Sequence, residues 1–428
     1  MISRTLGAAL AALFGTTAAL AAPTWITVGG EAHALLQKVA PHAQTLASTQ
    51  VPVTRPVSKG SHTLVQGTEA VHVVEIDDEM LPSVTLAVHR KMRKCSGFAQ
   101  HASMAEALAV LHRLQSPPVV DLAPSYAIDN QAQVTPRLAQ LQASNLLSTI
   151  TQLSSFQNRR YNSTHGSAAS TWLFTQWQAL NPGNRRDVKV RQISHSWAQK
   201  SVEFEITGTG NSSETLVLGA HLDSISSGGI ETARAPGADD DASGVAGLTE
   251  VIRVMMASGY VPKRNIRFIA YAAEEAGLLG SKDVVAAQAG RRDKVVGVMQ
   301  LDMTAFKGSA TDLWIYTDYT NAAQNAFLAS LAATYLPELT VGYDFCGYGC
   351  SDHASWHNRG FVASFPFEAA DDSYNFQIHT PNDTVATFGG QANHALKFTK
   401  LALAYLVELA SDAAPATRPT ADLRSATR

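Results

Sequence analysis

Ten consecutive residues, Ala235-Pro236-Gly237-Ala238-Asp239-Asp240-Asp241-Ala242-Ser243-Gly244, limit this chain more than any other stretch. Three adjacent carboxylates repel one another in water. Here they are wedged between Pro-Gly and Ser-Gly, directly ahead of an apolar helical segment, and a cation between them would relieve that repulsion. Taken alone, the triplet fits an acidic turn with a helix N-cap better, since Asp is favoured there. The decision between the two readings falls to the other acids and histidines of the chain.

Those residues sit on a regular alternation. An apolar run over 215–220 has strand length, and Val245, Leu248, Ile252, Met255 and Met256 then form a helical stripe that stops at Gly259. A strand over 266–272 precedes a helix expected from Ala276 to Ala289, and further strands are expected over 295–301, 313–316 and 361–365. Helices are expected over 137–156, 167–180 and 392–410. Strand followed by helix, repeated, predicts an α/β fold with a mostly parallel sheet covered on both faces.

The 428 residues, 45% of them hydrophobic, suffice for a large core, and the net charge of −3 leaves no broad basic surface for nucleic acid. Met1–Ala21 has the charged start, apolar run and small-residue end of a secretory signal peptide, and no later segment is apolar and long enough to span a membrane. Residues 22–125 read as a small α+β unit with strands over 70–76 and 83–88 and a helix over 103–114; the basic run His89–Lys94 reads as a solvated face. Ser116-Pro117-Pro118 and Ala123-Pro124-Ser125 mark a boundary open to cleavage. The main body runs over 126–411, followed by a polar tail, 412–428, expected to be disordered. Cys346 and Cys350, four apart in a glycine-loosened loop, read as a small disulfide ring in an exported protein, and Cys95 is left over.

The polar residues at the strand ends supply the chemistry. His221 follows the strand over 215–220, where ligands gather in open α/β sheets, and Asp223 stands where it can accept the other imidazole N–H. Glu274 and Glu275 follow the next strand, and Asp302 follows the one after; His379 lies far downstream in a loop that Pro381 and Asn382 keep from becoming helix. Each alone suits an ordinary cap or hydrogen-bonded pair. Together His221, Asp240, Glu275, Asp302 and His379 offer two imidazoles and three carboxylates, enough to give each of two zinc ions a His, a terminal carboxylate and a share of a bridging Asp. Glu274, adjacent but pointing elsewhere, is then placed to serve as general base in hydrolysis.

Gly219–Ser224, Ala235–Gly244, Tyr271–Gly277, Leu301–Met303, Ile378–Thr380 and Cys346–Trp356 occur in the order found in the secreted bacterial leucyl aminopeptidases with two co-catalytic zincs, and the chain resembles that family over roughly residues 127–410. The resemblance implies a single zinc-exopeptidase domain around a mixed, mainly parallel sheet. It implies Asp240 as the metal bridge, with a cis peptide to Asp241, His221 with Asp302 on one zinc, and Glu275 with His379 on the other. It implies Glu274 as base, Asp223 as orienting partner of His221, and Tyr348, held by the Cys346–Cys350 ring, as donor to the oxyanion. The substrate it implies is a free peptide N-terminus whose first side chain, leucine by preference, enters a pocket drawn from Met303, Cys346, Tyr348, Cys350, Phe365, Phe367, Tyr374 and Ile378. Asp371 departs from the aromatic residue expected there, and a charge near the pocket mouth bears on which first residues are taken. The segment before the catalytic domain is implied to be a propeptide that assists folding and blocks the site until it is cleaved. A monomeric enzyme, secreted to the periplasm or beyond, completes the expectation; carboxypeptidase, deacylase or glutaminyl cyclase chemistry on the same fold, or a binding ectodomain without catalysis, are the alternatives.

Overall fold

The computed structural model describes residues 22–92, 97–115, 124–210 and 213–412. The expected signal peptide, Cys95 and the tail beyond Asp412 fall outside the described residues.

The chain before Gln115 folds as its own unit: β1 (Pro23–Gly29), α1 (Gly30–Val39), β2 (Gln44–Pro56), β3 (Leu64–Asp77), α2 (Leu81–Met92), β4 (Phe98–His101) and α3 (Met104–Gln115). The four strands form an antiparallel sheet in the order β2-β3-β1-β4. Consecutive residues face opposite sides, so Val73 packs with Val71, Val110 and Leu111 under α3, whereas Val74 packs with Ile26, Val84 and Phe98 under α1 and α2. The expected strand over 83–88 is instead the middle of α2. Its β-branched residues suggest a strand, but Leu81, Val84, Thr85, Val88 and His89 are the buried set, a helical spacing, and Pro82 sits in the first turn where a missing N–H costs nothing.

The larger unit contains α4 (Gln131–Leu138), α5 (Ala143–Ser155), α6 (Thr164–Ala179), β5 (Val188–Ile193), β6 (Ser201–Ile206), β7 (Glu214–His221), α7 (Ala242–Ala257), β8 (Asn265–Tyr271), α8 (Leu279–Gln288), β9 (Lys294–Gln300), β10 (Leu313–Tyr316), α9 (Ala322–Tyr335), β11 (Val341–Asp344), α10 (His353–His357), β12 (Ala363–Phe367) and α11 (Asn393–Ser411). Its eight strands run in the order β11-β10-β12-β9-β7-β8-β6-β5. The central four are mutually parallel, and antiparallel pairs appear toward both edges, so the sheet is mixed and mostly parallel at its centre. Leu216, Leu218 and Ala220 of β7 face a core built with α4–α7, α9 and α11, while Val217 faces α8 and α10. Both faces are covered, which is why the central strands read as nearly unbroken apolar runs.

Two expected helices differ in detail. The stretch over 137–156 divides into α4 and α5, because Leu141 turns inward and the Gln142 N–H is taken by Glu250. The helix expected from Ala276 starts only at Leu279, since Gly277 and Leu278 adopt left-handed φ of 92° and 64°. Glu274 and Glu275 therefore stand on a turn rather than in a helix, and their side chains are free to diverge.

Beside them, β6 holds β8 in place through a buried ion pair. Arg267 donates from Nε (2.8 Å) and Nη2 (2.5 Å) to Glu203 Oε2, both side chains nearly closed to solvent. Removing one partner strands the other charge, so Glu203→Ala should lower stability by about 3–5 kcal/mol in urea unfolding, against less than about 1 kcal/mol for a surface pair such as Arg55–Glu69.

Candidate metal centre

Adjacent parallel strands β9, β7 and β8 end on one edge, and each delivers an expected residue there: β9 leads into Asp302, β7 ends on His221, and β8 leads into Glu274 and Glu275. Asp240 arrives on the loop before α7, and His379 on the loop between β12 and α11. All six side chains are buried. His221 Nε2 lies 2.9 Å from Asp240 Oδ1 and 3.3 Å from Asp302 Oδ1; His379 Nε2 lies 3.1 Å from Asp240 Oδ2 and 2.8 Å from Glu275 Oε2. The histidines, more than 150 positions apart in sequence, thus face one carboxylate, each through its own oxygen.

Two donor groups result, His221–Asp240–Asp302 and Asp240–Glu275–His379, sharing Asp240. Asp240 Oδ2, Asp302 Oδ1 and His379 Nε2 make no hydrogen bond despite their closeness, so lone pairs point at common centres instead of at protons. Donors about 2.0–2.2 Å from a tetrahedral zinc sit roughly 3.3 Å apart, close to the spacings observed. The residues fit a pair of such ions. Without a cation the electrostatics are severe. Burial lowers the tendency of either imidazole to charge, yet Asp302, Asp223 and Asp240 hold His221 well above its ordinary value, and Glu275 and Asp240 raise His379 to about 10. Burial raises Glu275 to about 7 and Glu274 well beyond the usual carboxylate range.

Each acid of the triplet has a separate partner. Asp241 accepts from the His221 N–H (3.0 Å), from the Gly244 N–H at the start of α7 (2.7 Å) and from the Met303 N–H (3.3 Å), tying three of the loops together. Asp239 accepts from the Ala305 N–H and from Asn375. The peptide between Asp240 and Asp241 is cis, as the family resemblance implies. Behind the triplet, Asp383 accepts the N–H groups of Asp239 and Asp240, both at 3.1 Å, coupling the His379 loop to the bridge. Asp223 accepts from the N–H groups of Glu274 (2.9 Å) and Glu275 (3.2 Å) and lies 3.5 Å from His221 Nδ1, so its stronger hold is on the glutamate turn. Gly237, at φ 52°, is required here, since a Cβ would strike the Asp240 carbonyl, Ser224 and Arg159. Arg159, fully buried, donates to the carbonyls of Leu153, Leu222, Pro236 and Gly237, and the charges of Asp383, Asp241, Asp240 and Asp223 favour its cationic form. Neither Arg159 nor Asp383 belongs to the sequence-based site; both lie outside the motifs, and only their position in space gives them away.

Residues 202–404 match the model of peptidase family M28. Leucine aminopeptidase 1 of Arthroderma otae is 36% identical over 292 residues, which cover 65% of this chain and 76% of that one. The chain belongs to peptidase family M28. It is a metallo-aminopeptidase of a zinc-dependent family. The LapA aminopeptidase of Legionella pneumophila superposes with a TM-score of 0.76 at 28% identity, covering 92% of this chain and all of that one, a span that includes the N-terminal unit. Glutaminyl cyclase of Porphyromonas gingivalis, 17% identical with a TM-score of 0.51 over 63% of this chain and 99% of that one, shares the fold.

Beside Asp302, all eight expected pocket residues, Met303, Cys346, Tyr348, Cys350, Phe365, Phe367, Tyr374 and Ile378, fall in one apolar cluster, joined by Trp314 and Tyr316 from β10. The small cavity within it touches Asp302, Tyr316, Tyr348, Phe365, Phe367 and Asp371. Cys346 and Cys350 are disulfide-bonded, closing the loop that carries Tyr348.

The N-terminal unit lies against this centre. His89, expected on a solvated face, is buried with its ring 5.0 Å from that of His379; its Nδ1 has no hydrogen-bond partner, and burial with the neighbouring His379 pushes it down to about 4. Arg90 and Lys91 of the same run are exposed. The Gln100 N–H donates to the Gly277 carbonyl at 3.1 Å, and the β2–β3 tip reaches the sheet edge, where the Gly60 N–H donates to Tyr343 O at 2.9 Å. Arg159→Met should leave four carbonyls and a nest of buried acids unanswered: a loss of about 3–5 kcal/mol in thermal unfolding and weaker retention of zinc in metal analysis are expected.

Proposed function

We propose that this chain is the precursor of an exported aminopeptidase that removes large apolar residues, leucine above all, from peptide N-termini with two zinc ions. The observation that carries this is the single carboxylate, Asp240, presented to His221 at 2.9 Å and to His379 at 3.1 Å through different oxygens. One ion would be held by His221, Asp302 and Asp240, the other by His379, Glu275 and Asp240. When bound, such a pair acidifies water and polarises the scissile carbonyl.

Glu274 is the general base. Its Oε1 is buried without a partner, and its turn is anchored by Asp223. It takes a proton from the attacking water and returns it to the departing amine. Tyr348 donates its hydroxyl to the oxyanion, and the first side chain enters the apolar pocket, each buried methylene contributing about 0.8 kcal/mol. Asp371 at the pocket wall bears on which first residues are admitted. Glu274→Gln should keep two zincs per chain by metal analysis yet lower kcat for leucyl p-nitroanilide by about 10²–10⁴-fold. An unchanged rate would remove Glu274 from the role, and one zinc or none would remove the paired centre. Because the base works only when ionised, activity is present above its pKa and falls as pH drops through it; this acid limb of kcat/KM should disappear in the Gln variant. An amino-blocked leucine substrate should not be cleaved, which separates this reading from deacylation.

Residues 22–125 act as a propeptide, a reading supported by His89 over the His379 ring and by β4 bonded to the turn after Glu275. The leader over 1–21 and the Cys346–Cys350 disulfide support export; among the described residues no helix is long and apolar enough to cross a membrane. A monomer is the expected mature form. Proteolytic nicking between 116 and 123 should raise kcat/KM by at least about tenfold, and His89→Ala in the intact chain should give part of that gain. Equal activity before and after nicking would end the propeptide reading.

A further inference from the structure

A second cavity, about 960 Å³, meets the metal centre at Glu275, whereas the apolar pocket meets it at Asp302. Its volume is at the upper end of ligand pockets generally, roughly 300–1,000 Å³. Its lining mixes apolar side chains with more charged groups than the apolar pocket has, and the N-terminal unit roofs it: Arg160, Trp197, Lys282 and Arg359 stand on the catalytic side, Asp78 and Glu106 on the other.

The charges are divided unevenly. Of the carboxylates on the catalytic wall, Glu275 belongs to a metal donor group and Asp283 is engaged by His195 Nδ1 at 2.9 Å. Three cations face them, and Arg160 Nε is buried with no hydrogen-bond partner. Lys282 Nζ, its side chain only 17% exposed, lies 3.6 Å from Glu106 Oε1 and 3.3 Å from His101 Nδ1, both groups of the N-terminal unit. Burial pushes this amine down to about 8, and Glu106, then Asp283, oppose the fall. When the unit departs, Lys282 loses the Glu106 carboxylate and keeps only Asp283 as a nearby counter-charge, on a wall that begins at a residue of a metal donor group.

We propose that this wall is the seat of the leaving portion of the peptide, and that a carboxylate carried downstream of the scissile bond takes the place of Glu106 at Lys282. The proposal rests on the aminopeptidase reading and adds a substrate class to it: short peptides whose free C-terminal carboxylate, or an acidic side chain, reaches Lys282. In the precursor, Glu106 occupies that position, so the unit that covers the centre also fills the place of the substrate's charge.

The test uses zinc-loaded protein nicked between 116 and 123, with Leu-Gly-Gly as the free acid, the same peptide as its amide, and an amide carrying an internal Asp. The acid should exceed its amide in kcat/KM by about tenfold, chiefly through KM, as expected for a hydrogen bond between charged groups. Lys282→Met should bring acid and amide to parity, and Lys282→Arg should restore the preference. The Asp-containing amide tells whether a side chain serves as well as the terminal carboxylate. Should the Met variant not fold, the wild-type preference must still shrink as salt is raised, because it is electrostatic. Equal rates for acid and amide in the wild type, or a preference that survives Lys282→Met or is indifferent to salt, would overturn the proposal. Failure to cleave leucyl p-nitroanilide at all would instead overturn the aminopeptidase reading.

Discussion

One carboxylate held between two imidazoles sets the demands that the remaining structure meets. Asp240 can offer an oxygen to each histidine only if its backbone cannot turn away, and that backbone is gripped from behind by Asp383 and, through Gly237 and Pro236, by Arg159. The same constraint explains the position in the sheet. Parallel strands that end side by side present their loops on one edge, and β9, β7 and β8 are such neighbours. Four residues other than glycine, Ala273, Leu278, Met303 and His379, hold left-handed φ of 58°, 64°, 57° and 55° in these loops, a cost of about 1–3 kcal/mol each that packing elsewhere must offset.

How much of this is written in the sequence depends on whether the signal is local. Runs such as 215–220 and 313–316 are apolar on both faces because both faces are covered, so the central strands are legible. Likewise the metal-donor residues announce themselves by standing just past those strands. Ser83–Val88 misleads because Val and Thr favour strands, while the burial of Val84, Val88 and His89 on one helical face follows from what α2 packs against. The same holds for Arg159 and Asp383: each is a common residue type in an unremarkable stretch, and its importance arises from distances that no linear pattern encodes. His89 is the sharpest instance, since four neighbouring cations read as a solvated run while the histidine beside them turns inward toward His379.

The charge balance of the centre also explains why so few hydrogen bonds satisfy it. Asp239, Asp240, Asp241, Asp302, Asp383, Glu274, Glu275 and Glu368 are buried near one another, and Arg159 is the guanidinium set against them. Burial and mutual repulsion raise Asp239 to about 6 and lift Glu368 and Asp383 well above their ordinary range. Acids that only supported a fold would be cheaper as amides or apolar side chains. Their retention makes sense where cations belong among them, and the open lone pairs of Asp240, Asp302 and His379 mark where.

The two cavities impose a direction on whatever chain enters. Beside Asp302 the space is small and closed in by Phe365, Phe367, Tyr374 and the disulfide loop. Beside Glu275 the space is large, lined by both apolar and charged side chains, and bounded by a unit joined through a segment rich in proline. On the aminopeptidase reading proposed above, a peptide lying across Asp240 would place its first residue on the Asp302 side and the rest past Glu275, along the face that the N-terminal unit covers. The N-terminal unit lies on the Glu275 side of the centre, with His89 beside His379 and Glu106 against Lys282; on the propeptide reading proposed above, exopeptidase action and inhibition would both follow from this one asymmetry.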